Sequence, residues 1–295
     1  MIANKYEMGE EIKRGAFGCI LKGFFIKSVR RSNENTKVDD PIVYNKTREP
    51  VAIKIEYGGI QSLKHEVKMM NYLATSGVKH IPNIYWYGIH NSQPCLIFTL
   101  YECSLFDYMN QKTMSVEKMN MLMVKAIDIL EHIHRVYVLH RDIKPQNFMI
   151  KNGDIFLIDF GLATFYIDEN GQHYQDKLTD TIIGTPKFVS INIHNGHRYS
   201  RRDDLISLGY MYVYMILGNA VWYSNTNEKS NKQFIDIEHP INQLLKQNKQ
   251  YEIFSSFYTS FECSQINKYI QYTYGLGYID NPKYIPMKQL FFTGE

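Results

Sequence analysis

The sequence predicts an α+β protein, with a small β-sheet and one main helix ahead of a larger, mainly helical part. Three observations lead there. Short apolar runs of strand character crowd the N-terminal third, at 6–27, 51–57, 84–89 and 95–101. A long helix-period pattern from Ser115 and an uncharged helical run from Leu205 lie behind them. Finally, 295 residues with 44% hydrophobic and 21% charged composition suffice for one large domain or two lobes. The expected division is an N-terminal lobe over about 1–98, a connection at 99–103 and a C-terminal lobe from 104 to 295.

Residues 6–27 read as two strands around Lys13-Arg14-Gly15-Ala16-Phe17-Gly18. A glycine-rich turn lets backbone N–H groups approach phosphates with no Cβ in the way, although Gly15 and Gly18 would also suit a plain hairpin. From Phe25 to Pro50 the chain is polar, and 27–49 is expected to be an extended surface loop, a solvated insertion whose Arg30-Arg31 pair could meet an acidic partner. Val51–Tyr57 is an apolar strand with one central lysine, Lys54, which strand alternation puts on the same face as Glu56. Leu63, Val67, Met70 and Ala74 follow a helical period, and Glu66 beside them is the only acidic residue between Gly58 and His90. Two further strands, 84–89 and 95–101, complete the sheet, and a short helix starts at Ser104. Ser115 caps the next helix, with Glu117 in its first turn and Met119, Leu122, Met123, Ala126, Leu130 and Ile133 on its apolar face.

Composition excludes several classes. A net charge of +3 does not argue for nucleic acid or an anionic membrane. The four cysteines, at 19, 95, 103 and 263, form no CxxC pair, which favours a reducing compartment over a disulfide framework or structural zinc. The N-terminus has no apolar run of signal-peptide type, so a cytoplasmic or nuclear location is expected. Leu205–Tyr223 is uncharged over a membrane-spanning length. It contains Ser, Asn, two Gly and several Tyr, and four charged residues abut it, so a helix buried all round in a core is expected instead.

The chemistry concentrates between His140 and Gly161, HRDIKPQNFMIKNGDIFLIDFG. Asp142, Lys144 and Asn147 fall within six residues. Asp159 follows twelve residues after Asn147, between an apolar strand and Gly161. A carboxylate, an ammonium and two oxygen-bearing metal-ligand positions at this spacing suit phosphoryl transfer, which asks mainly for positioning and charge neutralisation.

These stretches resemble the protein kinases, and GTPKFVSINIHNGHRYSRRDDLISLGY (184–210) closely resembles the casein kinase I family. Ser190-Ile191-Asn192 stands where other kinases carry A-P-E. Asp280-Asn281-Pro282-Lys283-Tyr284 and Gln289-Leu290-Phe291 also match the family, and the similarity runs from about 6 to 292. The resemblance implies a bilobal kinase fold, ATP with Mg²⁺ or Mn²⁺, and protein substrates with Ser/Thr acceptors. It implies Asp142 as the group that receives or orients the acceptor proton, Lys144 on the γ-phosphate, and Asn147 and Asp159 as metal ligands. Lys54 would contact the α- and β-phosphates with Glu66 holding it. Ile12, Gly15, Gly18, Ile20, Ala52, Phe98, Leu100 and Met149 would surround the nucleotide, with backbone of Thr99-Leu100-Tyr101 facing adenine. Asp204 would anchor the catalytic loop from the start of a buried helix at 205–218, and Lys187 would read acidic or phosphorylated residues near the target. Lys144 is typical of Ser/Thr rather than Tyr kinases, and Arg141 argues against small-molecule kinases. Departures are Lys13 for the first loop glycine, the 27–49 insertion, and Val221 for the proline before Trp222. The chain stops at Glu295, so tail-mediated autoinhibition is not expected. A pseudokinase scaffold is the alternative, with Lys13 as its one mark.

Overall fold

The alternation of β-branched and aromatic residues in the N-terminal runs gives each strand one apolar face, and the sheet forms to bury it. The computed structural model describes residues 1–15, 18–30, 44–57, 62–218, 234–254 and 261–292. Val221 and Trp222 lie outside them. The chain divides into two compact units, Met1–Asn71 with Pro82–Tyr101, and Tyr72–Ile81 with Glu102–Glu295.

In the first unit, β1 (Tyr6–Gly15), β2 (Gly18–Arg30), β3 (Tyr44–Glu56), α1 (Ser62–Thr75), β4 (Ile84–His90) and β5 (Gln93–Thr99) follow in order. The five strands make one sheet, ordered β1-β2-β3-β5-β4, with antiparallel neighbours throughout. Register sorts its faces, because cross-strand partners point to the same side. Cys19, Ile55 and Cys95 align, as do Leu21, Ile53 and Ile97. With Val51, Ile2 and Tyr6 these form the core cluster on one face. The other face carries the rows Ile20–Lys54–Leu96 and Lys22–Ala52–Phe98.

The expected loop at 27–49 is corrected. β2 and β3 continue to pair through Ile26↔Arg48 and Lys27↔Thr47 as far as Arg30↔Tyr44, and only 31–43, including Arg31, lie outside the described residues. The sequence of the paired stretches, IKSVR and YNKTR, has no regular apolar alternation to reveal a strand, so its polarity resembled that of a loop. Arg48 helps hold it, pairing with Glu7 at 2.5 Å and stacking 4.5 Å from the Phe24 ring.

Helix α1 buries Leu63, Val67, Met69, Met70 and Leu73, while Ala74, expected on the apolar stripe, is exposed and Leu73 takes its place. The helix has no acidic residue in its first turn. Glu56, at the end of β3, supplies one. Its Oε1 accepts the N–H groups of Ser62 (3.1 Å) and Leu63 (3.2 Å) and the Ser62 hydroxyl. A carboxylate there satisfies orphan donors and complements the helix dipole.

In the second unit, β6 (Cys103–Ser104) leads into α2 (Leu105–Gln111), which Ser104 and Asp107 close with a reciprocal capping box. Then come α3 (Val116–Arg135), β7 (Val138–Leu139), a 3₁₀ turn at Pro145–Asn147, β8 (Phe148–Lys151), β9 (Asp154–Leu157), β10 (Thr164–Phe165), β11 (Thr181–Ile183), α4 (Ile191–His194), α5 (Arg201–Leu217), β12 (Phe234–Asp236), α6 (Pro240–Phe254), α7 (Phe261–Tyr274) and α8 (Tyr284–Gln289). The uncharged run forms most of α5, which packs on α3 and α7 and is buried on every side from Asp203 to Met215. Among the described residues no helix is long and apolar enough to cross a membrane. The helix begins at Arg201, four residues ahead of the expected start, because Asp203 accepts the Ser200 N–H (2.9 Å) and fixes the first turn there.

Replacing Glu56 by Ala leaves the α1 donors without their acceptor and is expected to destabilise the protein by about 1–3 kcal/mol. Urea unfolding measures this, and a change below about 0.5 kcal/mol would contradict the capping role.

Candidate active site

The segment after β7 cannot hold its shape by local preference, because Arg141 sits in the left-handed region at φ 68°. Asp204, in the first turn of α5, holds it from below. One carboxylate oxygen accepts the Arg141 N–H (2.8 Å), and the other accepts the His140 N–H (2.8 Å) and His134 Nε2 (3.1 Å). A carboxylate only accepts, so the His134 proton is on Nε2, and Nδ1 accepts from the Tyr284 hydroxyl at 2.7 Å. Burial pushes the Asp204 pKa up, but the His134 hydrogen bond, nearby charge and the backbone donor outweigh it and hold the carboxyl below its ordinary range. His134, wholly buried, is shifted down by desolvation against the pull of Asp204. Gly184, at φ 102°, closes over this segment; a Cβ there would lie 2.5 Å from the Arg141 carbonyl oxygen.

On this support the sequence-predicted groups of the second unit converge. Asp142 Oδ2 accepts from Lys144 Nζ at 2.7 Å and from Asn147 Nδ2 at 3.1 Å. Its Oδ1 accepts from the Thr185 hydroxyl at 2.7 Å, and Lys144 Nζ also donates to that hydroxyl at 2.9 Å. Asn147 Nδ2 donates to the Asp142 carbonyl as well, at 2.8 Å, which commits the amide nitrogen. The β8–β9 register, Phe148↔Leu157, continues into a 2.9 Å bond from the Ile158 N–H to the Asn147 carbonyl. That bond brings Asp159, left-handed at φ 66°, beside Asn147. His140 fixes the same junction: Nδ1 accepts the Asp142 N–H (3.3 Å) and Nε2 donates to the Ile158 carbonyl (3.0 Å). Met149 is half-buried in β8.

In the first unit, Lys54 Nζ lies 2.7 Å from Glu66 Oε2, and the Glu66 side chain is buried. Ile20, Ala52 and Phe98 share the sheet face of Lys54. Gly18 is required sterically, since a Cβ would come 2.1 Å from the Ile55 carbonyl oxygen. Gly15 meets no such restriction, its Cβ lying 3.8 Å from the nearest atom. Ile12 is 53% exposed on β1. Strand β5 stops at Thr99, two residues before the expected end, and Leu100 and Tyr101 lie beyond it. The Thr99 N–H is donated to the Asn83 carbonyl at 3.1 Å, so of the expected adenine-facing backbone that donor is already used.

Lys187 is half-buried, with Nζ 4.3 Å from the Tyr214 ring centre and 5.6 Å from that of Phe188. Desolvation lowers its pKa. The segment around it is held at both ends. Ser190 caps α4 and donates to Asp203 Oδ1 at 2.6 Å, joined there by Asn192 Nδ2 at 3.2 Å. Lys249, fully buried in α6, donates to the carbonyls of Pro186 (2.8 Å) and Val189 (2.6 Å) and to His194 Nε2 (2.8 Å). Sequence reasoning missed Thr185 and Lys249. Thr185 stood next to Gly184 in a quoted motif, whereas nothing in the polar stretch around Lys249 marks it as buried.

The protein kinase domain family matches residues 6–272. The chain belongs to the protein kinase family. Kinases of this family are phosphotransferases that use ATP and a divalent metal, and the side-chain oxygens of Asn147 and Asp159 are of the kind that suits a hard cation. Among the described residues no group of three His, Cys, Asp or Glu is placed to hold a metal ion.

Burial holds His134 and His194 below the ordinary value of 6.5. As pH falls through 6.5 the unfolded chain takes up protons that the folded one refuses. Their stabilisation is therefore complete above that pH and is lost below it, at up to about 1.4 kcal/mol per site and pH unit. Urea unfolding is expected to show lower stability at pH 5.5 than at 7.5; equal or greater stability would contradict neutral buried histidines.

Proposed function

We propose that this kinase is an active serine/threonine kinase of casein kinase I type, favouring acidic or phospho-primed sites. The observation that carries this reading is the Asp142 constellation. One carboxylate receives an ammonium, an amide and a threonine hydroxyl within 3.1 Å, on a loop that α5 holds through Asp204.

In the proposed reaction the acceptor hydroxyl attacks the γ-phosphorus of ATP, a new O–P bond forms, and the bond to the β,γ-bridging oxygen breaks to release ADP. Asp142 receives the acceptor proton and passes it to solvent. Lys144 neutralises charge on the transferred phosphoryl group, and Thr185 holds the ammonium and the carboxylate at their mutual distance. Asn147 and Asp159 would hold Mg²⁺ or Mn²⁺, which when bound would neutralise phosphate charge. Lys54, paired with Glu66, contacts the α- and β-phosphates. Ile12, Gly15, Gly18, Ile20, Ala52, Phe98, Leu100 and Met149 are proposed to line the nucleotide site.

Three features support the finer assignment. Lys144 bridges Asp142 to Thr185, an arrangement suited to a small aliphatic hydroxyl acceptor. Ser190 and Asn192 both bond Asp203, so the S-I-N motif has its own anchor in place of the A-P-E glutamate. Lys187 lies between Pro186 and Phe188, in the stretch that Lys249 grips. A phosphate reaching Lys187 must compete with the Tyr214 ring for the ammonium and lacks the bidentate fork of an arginine. Free thiols at Cys19, Cys95 and Cys103 support the reading of a cytoplasmic or nuclear protein.

Two measurements test the reading. Radiolabel from γ-labelled ATP is expected to pass to casein, with transfer falling by about a thousandfold or more in Asp142→Asn. No transfer by the unaltered chain would favour a nucleotide-binding scaffold. For the substrate assignment, kcat/KM is expected to be higher for a phospho-primed serine peptide than for its unprimed form, and to lose that preference in Lys187→Ala. Equal values for the two peptides would overturn the primed-site reading and leave the kinase reading intact.

A further inference from the structure

Away from the Asp142 constellation, a cavity of 420 Å³ opens in the C-terminal unit, with Arg135, Tyr137, Tyr166, Arg201, Asn281 and Tyr284 in its wall. Its size falls within the range of small-molecule pockets. Its charge is unusual. Arg201 Nη2 donates to the Ile279 carbonyl at 2.7 Å, and Nη1 reaches the Tyr166 hydroxyl at 3.3 Å and Asn281 Oδ1 at 3.4 Å. Its Nε is buried with no hydrogen-bond partner, and among the described residues none of its partners is a carboxylate.

The nearby carboxylates are engaged by other groups. Arg135 pairs with Glu131 at 2.5 Å, and Lys288 pairs with Asp128 at 2.5 Å and with Glu131 at 2.9 Å. His134 in the wall is neutral by burial. The Asp204 carboxylate behind His134 is taken up by His134 and the N–H groups of His140 and Arg141, so the Arg201 guanidinium, stacked 4.6 Å from the Tyr166 ring, has among the described residues no carboxylate partner of its own. Desolvated guanidinium groups favour oxyanions, and a phosphate monoester offers two negative charges and three acceptor oxygens. The cavity is larger than a phosphate group, and its tyrosine rings suit a carbon skeleton.

We propose that this cavity binds small organic phosphate monoesters, with Arg201 reading the phosphate and the rings of Tyr137 and Tyr166 flanking the organic part. The wall connects to the catalytic loop by one polar chain: Tyr284 hydroxyl to His134, His134 to Asp204, and Asp204 to the N–H groups of His140 and Arg141. The proposal is independent of the Lys187 reading.

Isothermal titration of the full chain with phenyl phosphate tests it, with inorganic phosphate as a second titrant. Saturable binding of phenyl phosphate at about millimolar Kd or tighter is expected, with inorganic phosphate weaker. Asn281→Asp places a carboxylate beside Arg201, supplying the counter-charge it lacks without removing its contacts, so the variant should fold normally and bind phenyl phosphate about tenfold more weakly or worse. Lys187→Ala should bind as the unaltered chain does. Absence of saturable binding, indifference to Asn281→Asp, or loss of binding in Lys187→Ala would overturn the site. Inorganic phosphate binding as tightly as the ester would overturn the organic ligand.

Discussion

A single buried carboxylate sets the catalytic loop. Asp204 converts a left-handed residue, Arg141, into a fixed point by accepting two consecutive backbone N–H groups, and His134 supplies the third donor that keeps the carboxylate ionised in a dry environment. Without it, those N–H groups would be buried and unpaired, and Arg141 would relax from an unfavourable φ. The placement of Asp142, Lys144 and Asn147 therefore depends on the first turn of α5. That helix in turn depends on its burial against α3 and α7, which is why its sequence carries no charge after Asp204 until well past its end.

The N-terminal sheet achieves a comparable separation of tasks by parity alone. Odd positions of β3 join the core with Cys19, Cys95 and Ile97, while even positions carry Ala52, Lys54 and Glu56. Lys54 and Glu56 both serve α1, one binding Glu66 and the other capping the helix N-terminus. Helix α1 is thus tied to one strand by two polar contacts two residues apart. A register slip of one residue would send both groups to the core side.

Much of this was legible in the sequence because the chemistry is local. Asp142, Lys144 and Asn147 lie within six residues, and the short β8–β9 hairpin follows them directly, so their expected proximity rested on a short stretch of chain read through its resemblance to the kinases. Lys54 with Glu66, and Asp204 beneath the catalytic loop, were reached through motif resemblance, and the structure gives each the expected partner. What remained hidden was non-local or two-faced. The extension of β2 and β3 has no apolar side to betray it. Thr185 touches Asp142 across forty-three residues, and Lys249 reaches Pro186 across sixty-three. Glu56 was placed on the right face but its partner was not foreseen, because capping by a carboxylate six residues upstream leaves no signature of the S-x-x-E kind.

Lys249 and Asp203 explain how the stretch from Thr185 to His194 can be shaped without an ion pair of its own. Lys249 donates hydrogen bonds to two carbonyls and a neutral imidazole, and burial drives its pKa well down. Asp203 likewise is surrounded by hydroxyl, amide and backbone donors, and burial pushes its pKa up. Lys249 is thereby satisfied by acceptors fixed in the segment itself, whereas Asp203 also has Arg202 as a counter-charge, with Nε 3.9 Å from Oδ2. The consequence is a segment whose backbone is specified at Pro186, Val189 and Ser190, which sets Lys187 between fixed neighbours with its ammonium 4.3 Å from the Tyr214 ring centre.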